Sequence, residues 1–175
     1  MKIKASSVLF WLCLYLFASS AVAQTQEKRK PLYEWERIVP LVTKKAEVED
    51  YFGKPYLESK NGYVSFYKSG FGRITVYYYG ATDLEKAAYK CNVSRDTVSS
   101  YDITLAERIP LSSLVWNLNQ FERTPGDDGR WIYDNLMTGV SFSVESPDEK
   151  TEEVVEISYE PSARQREQLC QKNQK

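Results

Sequence analysis

The 175-residue sequence contains no histidine. This absence excludes catalytic triads built on histidine, histidine proton shuttles, zinc sites with histidine ligands and histidine pH switches. Carboxylate pairs of the kind that hydrolyse glycosides need only Asp and Glu, so they stay open, although no spacing in the sequence points to a particular pair. We therefore predict a protein that is not an enzyme and that holds no cofactor and no metal.

Long apolar runs are also missing, with one exception at the N-terminus. Lys2 and Lys4 precede the apolar run Val8–Phe17, and the small residues Ala21-Val22-Ala23 follow it. A charged start, a short apolar core and an A-x-A exit are typical of a cleaved signal peptide. An uncleaved anchor is the alternative, but the run is shorter than the roughly 20 residues that a membrane span needs. The sequence predicts a signal peptide over residues 1–23, no membrane span after cleavage, and a secreted or periplasmic location.

Cysteine is rare, with three residues in the chain. Cys13 lies inside the apolar run, so cleavage would leave only Cys91 and Cys170. An even number of cysteines in an exported chain favours a disulfide bond. The two cysteines do not form a C-x-x-C motif, and two sulfurs without histidine cannot complete a four-ligand zinc site. We predict a Cys91–Cys170 disulfide, with two buried thiols as the alternative.

The chain carries little excess charge of either sign. It has 23 Lys and Arg against 24 Asp and Glu, and removal of Lys2 and Lys4 would leave 21 against 24, a net charge of −3. This balance argues against a nucleic-acid partner. Residues 24–32 are polar and lack periodicity, so we interpret them as a flexible leader. A single α+β domain would follow over residues 33–162, and the disulfide would tie down a polar tail over residues 163–175.

The first part of this domain has the pattern of one helix followed by a β-meander. Apolar residues at positions 48, 51 and 52 share one helical face, and Thr43 offers a capping hydroxyl. Gly53 and Pro55 end the predicted helix, which covers residues 44–52. Segments 56–59, 63–67 and 73–79 are rich in β-formers and are separated by glycine-containing turns. These features predict a short helix packed on three antiparallel strands.

A second part of the domain resembles the first. Segments 130–133, 138–145 and 154–159 have the character of strands, and another strand is predicted over residues 96–106. Residues 112–121 alternate in polarity almost as well as they follow a helical period, so a second helix stays open. The sequence allows two tandem units of one helix and three strands, over residues 33–82 and 107–162, or a single meander without a repeat.

The helix end and the strands after it carry a resemblance to a known family. The run Val48-x-x-Tyr51-Phe52-Gly53-x-Pro55, with glycines 62 and 72 in the later turns, resembles the SmpA/OmlA family of outer-membrane lipoproteins. A tandem pair of such units would be similar to the β-lactamase-inhibitor-protein fold. Leu41-Val42 stands where that family has Gly-Met, and the chain lacks a lipid-attachment cysteine. The resemblance implies a fold and an exported location, and it carries over no functional residue.

Tyrosine is the most unusual component of the sequence, with 13 residues. If the meander has a simple register, four tyrosines lie on one side of adjacent strands: Tyr63, Tyr67, Tyr77 and Tyr79. Aromatic rings with polar tips are typical of binding surfaces, although tyrosine is also common on half-buried strands. We predict a non-enzymatic domain that binds a protein or a cell-envelope component through this face. The alternative is a small carboxylate-dependent enzyme that acts on saccharides.

Overall fold

The computed structural model describes residues 33–79, 89–148 and 151–172. The predicted signal peptide and leader lie outside these residues. The described chain contains ten strands: β1 (Leu57–Glu58), β2 (Val64–Ser69), β3 (Gly72–Tyr78), β4 (Tyr89–Cys91), β5 (Val98–Pro110), β6 (Glu122–Pro125), β7 (Trp131–Asn135), β8 (Val140–Asp148), β9 (Thr151–Tyr159) and β10 (Cys170–Lys172). It also contains two α-helices, α1 (Lys45–Phe52) and α2 (Ala163–Leu169), and three 3-10 turns, η1 (Glu34–Arg37), η2 (Leu111–Ser113) and η3 (Leu118–Gln120).

Eight of the strands form one antiparallel sheet in the order β1-β2-β3-β5-β9-β8-β7-β6. In chain order, β1, β2, β3 and β5 lead from one edge of the sheet to its middle. The strands β6, β7, β8 and β9 lead from the other edge to the middle. Their final strands, β5 and β9, pair at the centre, where Ile103 lies opposite Ile157. The expected antiparallel meander is thus confirmed in a mainly β domain, whereas a tandem repeat stays a prediction.

Helix α1 ends where the sequence predicts. Gly53 has a φ of 79° and donates its amide to the carbonyl of Glu49 at 2.8 Å, a conformation that favours glycine. The start of the helix differs from the expectation. The Thr43 hydroxyl accepts a hydrogen bond from the amide of Val39, and Glu47 instead accepts one from the amide of Lys44. A helix-stabilising carboxylate in the first turn therefore replaces the predicted hydroxyl cap.

One face of the large sheet forms the core, and we call it the covered face. Its central row crosses six strands from β2 to β7, and every member is at most 7% exposed. The row contains Tyr67, Ile74, Ile103, Ile157, Phe142 and Tyr133. Large apolar side chains on one face of every strand are what an antiparallel sheet needs in order to bury that face.

The covering elements come from two segments outside the sheet. In the first, the carbonyls of Trp35 and Ile38 both accept a hydrogen bond from the buried Tyr101 hydroxyl, each at 3.1 Å. In the second, Trp116 and Phe121 pack their rings on Phe142 with centroid distances of 5.4 and 5.1 Å. These contacts place residues 35–52 and 111–121 on the covered face.

The second covering segment is not an α-helix. Residues 111–121 form the turns η2 and η3, with extended backbone at Leu114 and Asn117 between them. The side chain of Asn117 accepts a hydrogen bond from the amide of Asn119. Such local side-chain bonds compete with helix formation, which explains why the helical pattern is weak here.

The predicted disulfide is present. Cys91 and Cys170 are bonded with a sulfur–sulfur distance of 2.03 Å and face each other across the small sheet formed by β4 and β10. Helix α2 begins with a capping box, in which the Ser162 hydroxyl accepts a hydrogen bond from the amide of Gln165. The Gln165 side chain donates to the carbonyl of Pro40 at 2.8 Å. Within the described ranges, every helix is too short or too polar to cross a bilayer.

Candidate binding face of the sheet

The register of β2 and β3 divides the four predicted site tyrosines. Tyr67 lies opposite Ile74, whereas Tyr77 lies opposite Val64, so Tyr67 and Tyr77 point to opposite faces. The reason is the two-residue turn between the strands, which pairs Ser69 with Gly72 and so places odd-numbered residues beside even-numbered ones. The expectation that all four rings share one face is therefore wrong.

The other three tyrosines make contacts within the fold, Tyr67 and Tyr79 through their hydroxyls and Tyr63 through its backbone. Tyr67 is 1% exposed, and its hydroxyl lies 3.0 Å from that of the equally buried Tyr78. The carbonyl of Tyr63, just before β2, accepts a hydrogen bond from the amide of Tyr78. The hydroxyl of Tyr79 accepts one from the amide of Cys91 at 2.6 Å, beside the disulfide.

Tyr77 lies on the other face of the large sheet, which we call the open face. The residues on this face are polar or small over the central strands, and nearly all of them are partly exposed. One row crosses all eight strands and contains Leu57, Phe66, Thr75, Asp102, Ser158, Ser141, Asp134 and Glu122. The neighbouring row contains Lys68, Arg73, Thr104, Glu156, Ser143, Ile132 and Thr124.

Two carboxylates lie at the centre of the open face. Asp102 is paired with Ser158 and Thr104 with Glu156, so Asp102 and Glu156 are diagonal neighbours on β5 and β9. Diagonal neighbours on antiparallel strands lie about 7–8 Å apart, within reach of long side chains. The ion pairs within the described part of the chain involve neither carboxylate. The guanidinium of Arg73, across from Thr104, donates to the hydroxyl of that residue at 3.2 Å.

Partial burial and neighbouring negative charge raise two pKa values at the centre of the open face. Burial, and then the charge of Asp102, raise the pKa of Glu156. Burial, the charge of Asp102 and hydrogen bonding to it raise the pKa of Tyr77 to about 12. Both shifts mean that the folded protein disfavours further negative charge at this place. A positive charge near the centre of the face would lower both pKa values.

One hydroxyl group beside the carboxylates has unused hydrogen-bonding capacity. The Ser143 hydroxyl is buried without a hydrogen-bond partner in the described residues, and Ser143 lies directly opposite Glu156. Thr75 lies directly opposite Asp102 and is 7% exposed. Buried polar groups in folded proteins are normally satisfied, so the Ser143 hydroxyl is an exception, and it lies beneath the surface next to Glu156.

A network of ion pairs lies at one end of the open face. Arg130 contacts Asp128 and Glu145, and Arg108 contacts Glu145 and Glu153. A polar cavity of about 280 Å³ adjoins this network, lined by residues 128–130, 145 and 146. Its charged groups pair with one another, and the charges of Arg130 and of Arg73 also act on the central Glu156, whose pKa they lower in part.

Sequence reasoning overlooked the open face, although a signal for it exists. Small or charged residues alternate along the central strands, as in Ser100-x-Asp102-x-Thr104 and Ser141-x-Ser143. Period-2 polarity alone indicates a face directed away from the core. It does not identify a site, because the proximity of Asp102 and Glu156 depends on the pairing of β5 with β9, which are separated by more than 40 residues.

Comparison of the chain with protein-family models, with curated proteins and with solved structures finds no match. The resemblance of residues 48–55 to the SmpA/OmlA family is neither supported nor contradicted by this result and stays a prediction.

Proposed function

We propose that this protein is a non-enzymatic, exported domain that binds a partner protein or another cell-envelope component through the open face of its large sheet. This proposal keeps the predicted mode of binding but changes the residues that carry it. Tyr77 stays in the site, whereas Tyr67 and Tyr79 leave it because their hydroxyls bond within the fold. Tyr63 leaves it because the residue after it, Val64, lies opposite Tyr77, so strand alternation directs Tyr63 to the other face. The central carboxylates Asp102 and Glu156 take their place.

The observation that carries the proposal is the pair Asp102 and Glu156 at the centre of an open sheet face. Glu156, whose pKa is raised, costs the folded state free energy when it is ionised at neutral pH. Proteins commonly retain such costs at functional sites, where activity depends on them. Export is supported by the N-terminal sequence pattern and by the Cys91–Cys170 disulfide, because disulfides persist in oxidising compartments.

Site-specific photo-crosslinking in cells that naturally produce the protein tests this function. A benzophenone amino acid replaces Ser141, which lies in the central row of the open face, or Ser112, an exposed serine in η2 on the other side of the sheet. After irradiation, covalent adducts are identified by mass spectrometry. We expect one defined adduct from position 141 and none of the same mass from position 112. No adduct at position 141, or the same adducts at both positions, would overturn the proposal.

A small carboxylate-dependent enzyme remains the second candidate, and one observation favours it. Asp102 and Glu156 occupy diagonal positions about 7–8 Å apart on adjacent strands, and side chains at such positions can bring their carboxyl groups to the separations of about 5–10 Å found in glycoside hydrolases. The raised pKa of Glu156 would suit a general acid. A panel of fluorogenic glycosides distinguishes the candidates, because only the enzyme predicts turnover that Glu156→Gln abolishes. The binding function predicts no turnover by the unmodified protein.

A further inference from the structure

We infer that the Cys91–Cys170 disulfide is a site of thiol–disulfide exchange, which a dithiol opens while the large sheet stays folded. This chemistry is separate from the proposed partner binding. Three features carry it: the accessibility of the bond, the way in which the two cysteines face each other, and the weak attachment of the C-terminal segment that the bond holds. We call this segment, residues 163–172, the C-terminal arm.

The disulfide is accessible to a reagent in solution. Cys91 and Cys170 are both partly exposed, and they belong to the small sheet of β4 and β10, which is separate from the large sheet. A thiolate must reach a sulfur directly in order to attack it, so exchange depends on access to the bond. Exposed disulfides are accordingly the ones that are labile or regulatory.

The two cysteines face each other at a close point of the ladder. They are directly opposite in register, and the amide of Cys91 donates to the Tyr79 hydroxyl instead of to β10. The pair is therefore a non-hydrogen-bonded one, the kind in which opposite Cα atoms of antiparallel strands lie closest. The two Cα atoms are 3.8 Å apart, below the range of about 4.4–6.8 Å that is usual for disulfides, and bonds outside this range are more easily reduced.

Cys91 is held to the large sheet independently of the bond. Its amide donates to the Tyr79 hydroxyl at 2.6 Å. Tyr79 directly follows β3, and its own amide donates to the carbonyl of Thr97 at 2.8 Å. These contacts do not involve the C-terminal arm, so Cys91 keeps its place when the disulfide opens.

The C-terminal arm, in contrast, is weakly attached. Helix α2, all of which the structure describes, contains no buried residue. Its first turn contacts two loops of the domain: the amide of Ala163 donates to the carbonyl of Leu136 at 3.1 Å, and the Gln165 side chain donates to the carbonyl of Pro40 at 2.8 Å. Segments with few buried contacts open locally at a lower free energy than the whole domain unfolds. Loss of the disulfide therefore releases the arm alone.

The exchange has two steps. One thiolate of the dithiol attacks a sulfur of the disulfide, forms a mixed disulfide with that cysteine and releases the other cysteine as a thiolate, which takes up a proton. The second thiol of the reagent loses its proton and displaces the protein sulfur, so the reagent leaves as a disulfide and both cysteines become thiols. Two electrons pass from the dithiol to the protein. The partner is thus a dithiol of the C-x-x-C class.

Reduction of the whole oxidised protein by dithiothreitol without denaturant tests the inference. Free thiols are trapped with N-ethylmaleimide and counted by mass spectrometry, and tryptophan fluorescence gives the rate of global unfolding. The reduction rate should rise in proportion to the dithiothreitol concentration and exceed the unfolding rate at least about tenfold. In the reduced protein, amide hydrogens of β4 and β10 should exchange faster, whereas those of β5 and β9 should not. A reduction rate that levels off at the unfolding rate would overturn the inference.

A pair of variants in α2 tests the release of the arm. Gln165→Ala removes the bond to Pro40, which the inference assigns to the oxidised protein alone. The ratio of reduced to oxidised protein in a fixed dithiothreitol buffer should therefore rise at least about threefold. Gln168→Ala, at an exposed position of the same helix, is the matched control and should leave this ratio unchanged. The same ratio in both variants would show that the arm stays docked after reduction and would contradict its release.

Discussion

At the scale of single residues, the most informative side chains are tyrosines and carboxylates that the sequence alone could not place. Tyr67 and Tyr78 meet inside the covered face, where burial raises the pKa of both phenols. Glu156 and Tyr77 lie on the open face, and burial again raises their pKa values. Similar residue types thus perform different tasks, and the register of two strands decides which task each one has.

The buried hydroxyl pair makes a testable contribution to stability. Tyr67→Phe or Tyr78→Phe should lower the free energy of unfolding by about 1–2 kcal/mol, because each leaves the partner hydroxyl buried without its bond. The double variant should lose less than the sum of the two single losses, because it leaves neither hydroxyl behind. Urea denaturation measures all three values, with Tyr51→Phe, at a 41% exposed position, as the control. Strictly additive losses would contradict the contact.

Glu156 gives a pH-dependent prediction. Its pKa in the folded state lies above the ordinary value of 4.5, so the folded protein binds its proton more tightly than the unfolded chain does. Stability from this group is therefore present below pH 4.5 and is lost as the pH rises through the folded-state value. Glu156→Gln should raise the unfolding midpoint at pH 7 and have little effect at pH 4. A loss of stability at pH 7 would contradict the assigned environment.

At the scale of elements, the pairing of β3 with β5 depends on one glycine. A Cβ atom at Gly72, where φ is 146°, would lie 2.1 Å from the backbone carbonyl oxygen of Thr104. Gly72→Ala should therefore destabilise the fold by about 2–4 kcal/mol, because the backbone of two central strands must move. Gly70→Ala in the same turn meets no atom within 4 Å and is the matched control, expected to change stability by less than about 1 kcal/mol. Equal effects in thermal or urea denaturation would refute this account of the turn.

The disulfide is the second element-scale prediction. Replacement of Cys91 and Cys170 by serine should lower the free energy of unfolding by about 2–4 kcal/mol, because the bond closes a long loop with a sequence separation of 79 residues. The local ladder of β4 and β10 should exchange its amide hydrogens faster, whereas the large sheet should stay intact. A reducing agent should destabilise the unmodified protein by a similar amount and leave the double variant unchanged. An unchanged denaturation midpoint in the double variant would show that the bond contributes little.

The elements also show how far sequence patterns reach. Helix-ending and turn-forming Gly and Pro residues predict the end of α1 and the antiparallel meander, and the number of cysteines predicts their pairing. All three are confirmed. The side on which Tyr77 lies depends on turn length, and the meeting of Asp102 with Glu156 depends on the long-range pairing of β5 with β9. Both are properties of register, which residue composition and periodicity leave undetermined.

At the scale of the whole molecule, the two faces of the large sheet have separate roles. The covered face carries the large apolar side chains and receives the segments outside the sheet, and these contacts supply the stability of the domain. The open face carries small polar side chains around two carboxylates without ion pairs. The proposed function assigns partner binding to this second face alone.

Crosslinking from position 141 in charge variants tests that assignment most directly. The benzophenone amino acid is placed at position 141 in the unmodified protein, in the double variant Asp102→Asn with Glu156→Gln, and in Glu107→Gln. The account predicts that the double variant loses at least nine-tenths of the partner adduct, whereas Glu107→Gln retains it. An undiminished adduct in a correctly folded double variant would contradict the claim that these two carboxylates hold the partner.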